Sequence, residues 1–187
     1  AHPTRLFGYM SIDPGYPGRA TAELERCLNA GLRGIKIHSY ATRPLLAYDA
    51  ACLTPLYEFA DAHSLPLLAH TFTTDEIEQF EKQFSRYGRV TYIMAHTGAC
   101  ALDNYIRRAR DYPNVYIETC LSASPRGLVE QLVAAGVADK VLWGSDQYFM
   151  DASQQLGRVL FAQISEADKR KILGQNAARA LHLETAA

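Results

Sequence analysis

The sequence predicts an α/β fold in which parallel β-strands alternate with α-helices. Short apolar runs typical of buried strands recur along the chain, and segments with helical periodicity or composition separate them. Successive strands start about one βα unit apart, a module of ~30 residues in parallel sheets. No Gly-rich phosphate loop follows the first strand, as an open doubly wound sheet would normally offer. The pattern therefore favours a barrel of the TIM type, (β/α)8, over an open sheet.

The length of the chain indicates how much of such a barrel it holds. Eight βα units average about 250 residues, whereas the chain has 187 residues, which suits about six units. No linker or low-complexity tract divides the sequence. We therefore expect residues 1–187 to form a single barrel domain that is incomplete at its N-terminus.

The pattern predicts six strands and eight helices. The strands are expected over residues 6–12, 34–38, 66–70, 90–96, 114–120 and 140–145. The helices are expected over residues 20–30, 53–63, 75–87, 102–112, 126–135, 153–162, 165–173 and 176–183. Thr73 and Glu76 have the spacing of a capping box. Ser124 followed by Pro125 suits an N-cap with proline at the first helical position.

The composition is that of an ordinary globular enzyme domain and excludes several classes of protein. The chain is 48% hydrophobic and 21% charged, with a net charge of -1. Without a basic run it has no electrostatic footprint for nucleic acid, and no apolar stretch approaches the roughly 20 residues that cross a bilayer. The four cysteines are far apart and include no C-x-x-C pair, so we expect reduced thiols in a cytoplasmic protein.

Three apolar runs end in side chains that suit a metal ion. His70 closes the run 65–70, His96 closes the run 92–96, and Asp146 closes the run 141–146. Because the carboxyl ends of parallel strands meet at one face of a barrel, these side chains are expected to converge. Imidazole and carboxylate groups suit Zn²⁺ or a similar divalent ion, which polarises a carbonyl and lowers the pKa of bound water. The sequence therefore predicts a divalent metal site, with zinc as the expected ion.

Strand alternation indicates which side chains face the barrel lumen. Within residues 34–38 the isoleucines share one face, whereas Lys36 and His38 share the other. Glu118 and Cys120 point inward by the same rule, and Glu118 is a suitable ion-pair partner for Lys36. Arg126 either holds a substrate carboxylate by a bidentate contact or is a solvated arginine at the start of a helix.

Taken together, these motifs resemble the amidohydrolase-related family. In chain order they are Gly-Ile-Lys-Ile-His, Leu-Pro-Leu-Leu-Ala-His-Thr, Ala-His-Thr-Gly, Asn-Val-Tyr-Ile-Glu-Thr and Trp-Gly-Ser-Asp, followed by a closing helix over residues 169–181. The family consists of (β/α)8 metal enzymes that include hydrolases and decarboxylases of the aminocarboxymuconate-semialdehyde type. The resemblance implies that the six strands correspond to strands three to eight of the barrel.

The resemblance also implies roles for the residues at the strand ends. His70 would be a metal ligand, and His96 would be a ligand or the catalytic imidazole near the bound water. Asp146 would bind the metal and, in hydrolytic members, accept a proton from the attacking water. His38 would line the substrate pocket. A His-x-His pair on strand one would supply two more ligands, and the sequence contains no His-x-His, so weak or no metal occupancy is expected of this chain.

Three functions fit these observations. The first is hydrolysis of a C–N or C–O bond in a small organic acid, lactone or amide, with Asp146 and His96 handling protons. The second is nonoxidative decarboxylation of an aromatic or unsaturated carboxylate on the same metal scaffold. The third is a non-catalytic barrel fragment that self-assembles, because unpaired sheet edges invite pairing with other chains. The expected partners are a small-molecule substrate and further copies of the chain in a homo-oligomer.

Overall fold

A computed structural model describes residues 6–39 and 46–183 and shows one sheet of six strands. The strands follow one another across the sheet in chain order, and every neighbouring pair is parallel. Their bounds are β1 Tyr9–Met10, β2 Gly34–Ile37, β3 Pro66–His70, β4 Thr91–Ala95, β5 Val115–Glu118 and β6 Val141–Leu142. Parallel strands that alternate with helices confirm the predicted α/β class and the partial barrel of six units.

Eight α-helices are present among the described residues. They are α1 Pro17–Asn29, α2 Thr54–Ala62, α3 Thr74–Phe84, α4 Leu102–Asp111, α5 Leu128–Ala134, α6 Ala152–Leu160, α7 Glu166–Arg170 and α8 Asn176–Ala180. A π-helical turn, Lys171–Gln175, joins α7 directly to α8. The two predicted closing helices therefore form one continuous helical element. No helix in the described part of the chain is long and apolar enough to cross a membrane.

The predicted capping box starts α3 and also links this helix to the loop after β2. Thr73 Oγ1 accepts a hydrogen bond from the Glu76 backbone N–H at 3.2 Å, and Glu76 Oε2 accepts one from the Thr73 N–H at 3.0 Å. The other carboxylate oxygen of Glu76 accepts a hydrogen bond from the buried Ser39 hydroxyl at 2.5 Å. Ser39 is the neighbour of His38, so the cap helps to fix the chain where β2 delivers that histidine.

The main hydrophobic core lies between one face of the sheet and the helices. Ile35 and Ile37 are buried in it, as the alternation in β2 predicts. The same face of β3, β4 and β5 contributes Leu67, Ala69, Tyr92, Met94, Val115 and Ile117. Complete burial of one such aliphatic side chain stabilises a fold by about 1.5–3 kcal/mol. This face therefore fixes the register of the sheet and the direction of the opposite face.

The opposite face of the sheet carries a second, smaller hydrophobic cluster. Its members are Leu68, Ile93, Tyr116 and Leu142 from β3–β6, with Ala177, Ala180 and Leu181 from the end of the helical tail. The tail thus packs on the face that alternation assigns to the barrel lumen. At the carboxyl ends of the strands, His70 pairs with Ala95, and Glu118 pairs with Leu142 of this cluster. Candidate site residues therefore lie next to this cluster, at the carboxyl end of the sheet.

Some predicted boundaries are wrong. α5 begins at Leu128 rather than at residue 126, because Gly127, with φ of 69°, forms a left-handed turn before the helix. Pro125 instead packs against Gly98, since a Cβ on that glycine would lie 2.9 Å from the proline Cδ. β6 ends at Leu142, because the next backbone N–H, that of Trp143, donates to the Ile172 carbonyl at 3.0 Å.

The edges of the sheet are β1 and β6, each of which pairs with one neighbouring strand among the described residues. Both are only two residues long, which is shorter than the sequence pattern predicts. Self-association through these edges to form a homo-oligomer stays a prediction.

Candidate active site

Most of the predicted site residues lie along the carboxyl edge of the sheet. His38 directly follows β2, His70 is the last residue of β3, and His96 directly follows β4. Asp146 lies in the loop after β6. Because all the strands are parallel, these positions are delivered to the same edge, as the sequence predicts.

The three imidazole rings are in contact. The His38 and His70 rings are stacked, with centroids 4.2 Å apart and planes inclined by 17°. The His70 ring also stacks on Phe72 at 4.7 Å, and the edge of His96 meets it at 4.6 Å. Phe72 is 38% exposed. The result is a layer of flat rings in which His70 lies between the exposed His38 and Phe72, with the buried His96 at its edge.

Two of the site residues have left-handed backbone conformations. The φ angle is 67° at His96 and 49° at Asp146. Residues other than glycine rarely adopt such angles, and they cluster at functional sites when they do. At His96 the turn is supported by the next residue, because the Thr97 N–H donates to the Glu118 carbonyl at 2.9 Å. The chain therefore leaves β4 sharply at the histidine.

The electrostatic environment favours the neutral forms of the His38 and His70 imidazoles. Burial, followed by the charges of His96 and other nearby basic groups, lowers the pKa of His70 to about 3. Burial also lowers the pKa of His38. The pKa of Lys36 is lowered by burial, although the charge of Glu118 opposes this effect. Neutral imidazole is the form that binds a metal ion.

Glu118 organises the space between β4 and β5. Its Oε1 accepts a hydrogen bond from the Cys120 N–H at 2.6 Å, and its Oε2 accepts one from the Cys120 thiol at 2.8 Å. The His96 N–H lies 3.4 Å from Oε2 and donates to it as well. Burial raises the pKa of Glu118, which these hydrogen bonds oppose. Glu118 therefore holds two neighbouring site residues instead of pairing directly with Lys36.

The donor groups in this region fit a divalent metal ion. Ligand atoms of His96, Cys120 and Asp146 all lie within 4.8 Å of one another, and the His70 ring adjoins that of His96. Imidazole, thiolate and carboxylate are the groups that bind zinc in proteins. Three protein ligands with space for a further one is the pattern of catalytic metal sites.

A cavity of about 270 Å³ adjoins these donors. Its lining includes Lys36, Glu118 and Trp143 as well as His96 and Asp146. The indole Nε1–H of Trp143 is buried and has no hydrogen-bond partner among the described residues. Buried donors are nearly always satisfied, so this N–H is one of few exceptions among the described residues. A cavity of this size suits a small organic ligand.

Not all of the predicted site residues belong to the donor group or line this cavity. His70 adjoins the His96 ring and His38 stacks on His70, but neither is among the three grouped donors or the residues of the cavity lining. Arg126 is outside both sets as well. It is exposed and lines a separate groove of about 280 Å³ between the start of α5 and α6. The groove also contains Arg158 and Phe161. A contact between Arg126 and a substrate stays a prediction.

Sequence reasoning missed two residues at the site. Cys120 was placed on the inward face but given no role, and Phe72 was not considered. The signal for Cys120 is its strand parity with Glu118, since both occupy inward positions of the segment 114–120. For Phe72 no such signal exists, because it follows the end of β3 and its ring direction depends on the turn.

Metal-compatible donors at the carboxyl ends of parallel strands, in part of a (β/α) barrel, are typical of metal-dependent barrel enzymes. The amidohydrolase family model matches residues 1–183, and the chain belongs to this family. A comparison with curated proteins gives no match.

Solved structures share the fold at low sequence identity. An uncharacterised TIM-barrel protein from Bordetella bronchiseptica is 22% identical, with a TM-score of 0.83 over 97% of this chain and 68% of that chain. A dihydroxybenzoic acid decarboxylase from Polaromonas sp. JS666, solved with bound manganese and the inhibitor 2-nitroresorcinol, is 22% identical, with a TM-score of 0.73 over 98% of this chain and 71% of that chain. The 5-carboxyvanillate decarboxylase from Sphingomonas paucimobilis is 20% identical, with a TM-score of 0.73 over 96% and 68% of the two chains. These similarities establish a shared barrel architecture.

Proposed function

We propose that the site catalyses nonoxidative decarboxylation of a small aromatic carboxylate with the help of a divalent metal ion. The observation that carries this proposal is the layer of stacked rings formed by His38, His70 and Phe72. The ring of His96 contacts this layer and lies in the same donor group as the exposed carboxyl group of Asp146. Aromatic substrates are recognised by offset or edge-to-face contact with such rings. The dihydroxybenzoic acid and carboxyvanillate decarboxylases that share the fold support this choice of reaction over hydrolysis.

His70, His96 and Asp146 are the proposed metal ligands. A divalent ion bound by them would supply positive charge and Lewis acidity at the substrate oxygens. His70 is prepared for this role because its pKa of about 3 leaves the imidazole neutral at pH 7. His96 is held by its ring nitrogen Nδ1, which lies 2.8 Å from the Cys120 carbonyl. A metal-bound histidine typically has such a hydrogen bond on its second nitrogen.

The reaction requires an acid beside the ring. The bond between the ring carbon and the carboxylate carbon breaks, CO₂ leaves, and a proton takes its place on the ring carbon, so that no water is consumed. Asp146 is the exposed carboxyl group of the site, and we therefore propose that it transfers this proton. His96 is the second group that we propose for proton transfer.

Other side chains would orient the substrate. His38 extends the ring layer next to His70, and we propose that it contacts the substrate ring or its polar substituents. Trp143 belongs to the cavity lining, and its buried indole N–H has no acceptor among the described residues. We propose that a small movement of this side chain lets the N–H donate to a substrate oxygen. A bidentate contact from Arg126 to the substrate carboxylate would require the loop before α5 to approach the cavity.

The test is a screen of dihydroxybenzoates and related aromatic acids with the metal-loaded protein. CO₂ release and product formation are followed, together with ¹⁸O incorporation from labelled water. The proposal expects CO₂ in equal amount to product, without ¹⁸O in the product. Incorporation of ¹⁸O with cleavage of an amide or lactone, and no CO₂, would show a hydrolase instead.

The matched variants are Asp146→Asn and Asp103→Asn. Asp103 is an exposed carboxylate in the first turn of α4, so its replacement controls for the loss of one negative charge. Removal of one acid–base group typically costs about 10²- to 10⁴-fold in rate. We expect a loss in that range for Asp146→Asn and a nearly unchanged rate for Asp103→Asn. Equal rates for the two variants would contradict the assignment of Asp146.

A further inference from the structure

The thiol of Cys120, two residues after the end of β5, lies among the donor atoms of the proposed metal site. Its Sγ atom is 3.4 Å from His96 Nδ1, and it belongs to the group of donor atoms within 4.8 Å that includes the Asp146 carboxylate. The residue is only 5% exposed. A sulfur atom at this position faces the same space as the two other donors.

We propose that Cys120 binds the divalent ion as a thiolate, together with His96 and Asp146, and that this ligand makes the site favour Zn²⁺ or Co²⁺ over Mn²⁺. The inference rests on the metal site of the proposed function and adds a ligand to it. Thiolate is a soft ligand that selects zinc, whereas Mn²⁺ is bound best by carboxylate, carbonyl and water oxygens. The manganese found in the Polaromonas structure would then be a less favourable ion for this chain.

The positions of the donors are fixed by contacts on both sides. Glu118 accepts hydrogen bonds from both the N–H and the thiol of Cys120, at 2.6 and 2.8 Å. The carbonyl of Cys120 can only accept, so the His96 Nδ1 at 2.8 Å must carry the hydrogen. The lone pair of the His96 ring is therefore on Nε2, which remains available to an ion. When the thiol binds an ion it loses its proton, and Glu118 Oε2 is the acceptor already in contact.

The spacing of the donors agrees with one shared ion after a small adjustment. Around a tetrahedral zinc ion, a sulfur ligand and a nitrogen or oxygen ligand lie about 3.5 Å apart, given Zn–S of ~2.3 Å and Zn–N of ~2.0 Å. The ligand atoms of the three residues, counting one ring nitrogen for His96, are at most 4.8 Å apart. Asp146 is exposed and lies in a loop, so its carboxylate is the group that can move inward.

Titration of the whole chain with Co²⁺ under reducing, oxygen-free conditions tests the proposal. Co²⁺ serves as the spectroscopic probe, because its visible d–d bands report any bound ion and a near-ultraviolet charge-transfer band reports a thiolate ligand. We expect both signals to saturate together at one ion per chain. Cys120→Ser should remove the charge-transfer band and weaken Co²⁺ binding by at least about 10- to 100-fold, the usual cost of losing even an indirect partner of a ligand. Mn²⁺ binding should change much less.

Two further variants keep the result decisive. Cys100→Ser removes the thiol closest in sequence to His96 and should leave both signals unchanged. A variant that carries serine at positions 27, 52 and 100 retains only Cys120 and should keep the charge-transfer band, even if Cys120→Ser does not fold.

The possible failures are distinguishable. Visible Co²⁺ bands without a charge-transfer band, in the parent chain or in the variant that keeps only Cys120, would overturn the thiolate ligand and leave the proposed metal site intact. Absence of every Co²⁺ band would overturn both the thiolate ligand and the metal site of the proposed function.

Discussion

Replacement of Gly144 by alanine should damage the site through a steric conflict that the structure defines. Gly144 precedes Asp146 by two residues and lies against the Glu118 side chain. A Cβ at position 144 would be 1.9 Å from Glu118 Oε1 and 2.5 Å from its Cδ, whereas ordinary contacts begin at 3.4 Å. The carboxylate must therefore move away from the place where it accepts the Cys120 N–H at 2.6 Å.

The destabilisation caused by moving the Glu118 carboxylate can be estimated in two ways. Insertion of an extra methyl group into a packed region costs about 1–3 kcal/mol. Loss of a hydrogen bond to a charged group costs about 1.5–3 kcal/mol. Because both describe one movement of Glu118, the values do not add, and we expect the free energy of unfolding of Gly144→Ala to fall by about 2 kcal/mol. Co²⁺ binding should weaken as well, since Glu118 holds both Cys120 and His96.

Urea denaturation followed by circular dichroism measures this change, and Gly157→Ala is the matched control. Gly157 lies within α6, and an added Cβ would meet the Phe161 ring at an ordinary 3.8 Å. Alanine is favoured over glycine inside a helix by about 0.5–1 kcal/mol, so the control should be slightly more stable than the parent. If Gly144→Ala proves as stable as the parent and binds Co²⁺ equally well, the role given to Glu118 is wrong.

Three other outcomes are expected. Thr73→Ala should lower the free energy of unfolding by about 1 kcal/mol, because the cap of α3 is lost. Thr73→Ser keeps a hydroxyl and should retain most of the parent's stability. Urea denaturation measures both variants. Burial raises the pKa of Glu81, but hydrogen bonds from Arg107 and Arg108 outweigh burial and lower it. This carboxylate therefore stabilises the fold above its unfolded pKa of about 4.3, and its contribution is lost as the pH falls through the lower folded pKa. Glu81→Gln should remove most of this dependence of stability on acid pH. It should also lower the free energy of unfolding at pH 7 by about 3–5 kcal/mol, because Arg108, only 2% exposed, loses its carboxylate partner. Equal profiles of stability against pH for variant and parent would contradict this. The pKa of His70 is lowered to about 3 in the folded protein, whereas it is about 6.5 in the unfolded chain. The neutral His70 ring therefore favours the folded state fully above about pH 6.5, and the free energy of unfolding declines as the pH falls from there toward the folded-state pKa. In NMR spectra of the metal-free protein the His70 ring should therefore not titrate between about pH 5 and 8. A titration midpoint near about 6.5 would contradict the lowered pKa of this ring.

The fold was predictable because its main signals are local and repeated. The apolar run that ends at His70 identified β3 to the residue, and the strand ends placed His70 and His96 at one edge. The short β6 was not predictable, because its end depends on a hydrogen bond from Trp143 to the distant Ile172. The start of α5 was misjudged because Ser124 and Pro125 carry a capping pattern that Gly127 overrides.

The chemistry of the site was only partly visible in the sequence for a related reason. Histidine and aspartate at strand ends indicate a metal site. A buried thiol does not, because cysteine is common in protein cores. What distinguishes Cys120 is the position of Glu118, and Glu118 can occupy that position only because residue 144 has no side chain. The contact that places Glu118 thus joins β5 to the loop after β6, and it depends on the absence of a Cβ atom at Gly144. The sequence pattern does not indicate this contact. A substitution at Gly144, which is not itself a proposed ligand, should for this reason affect metal binding as strongly as it affects stability.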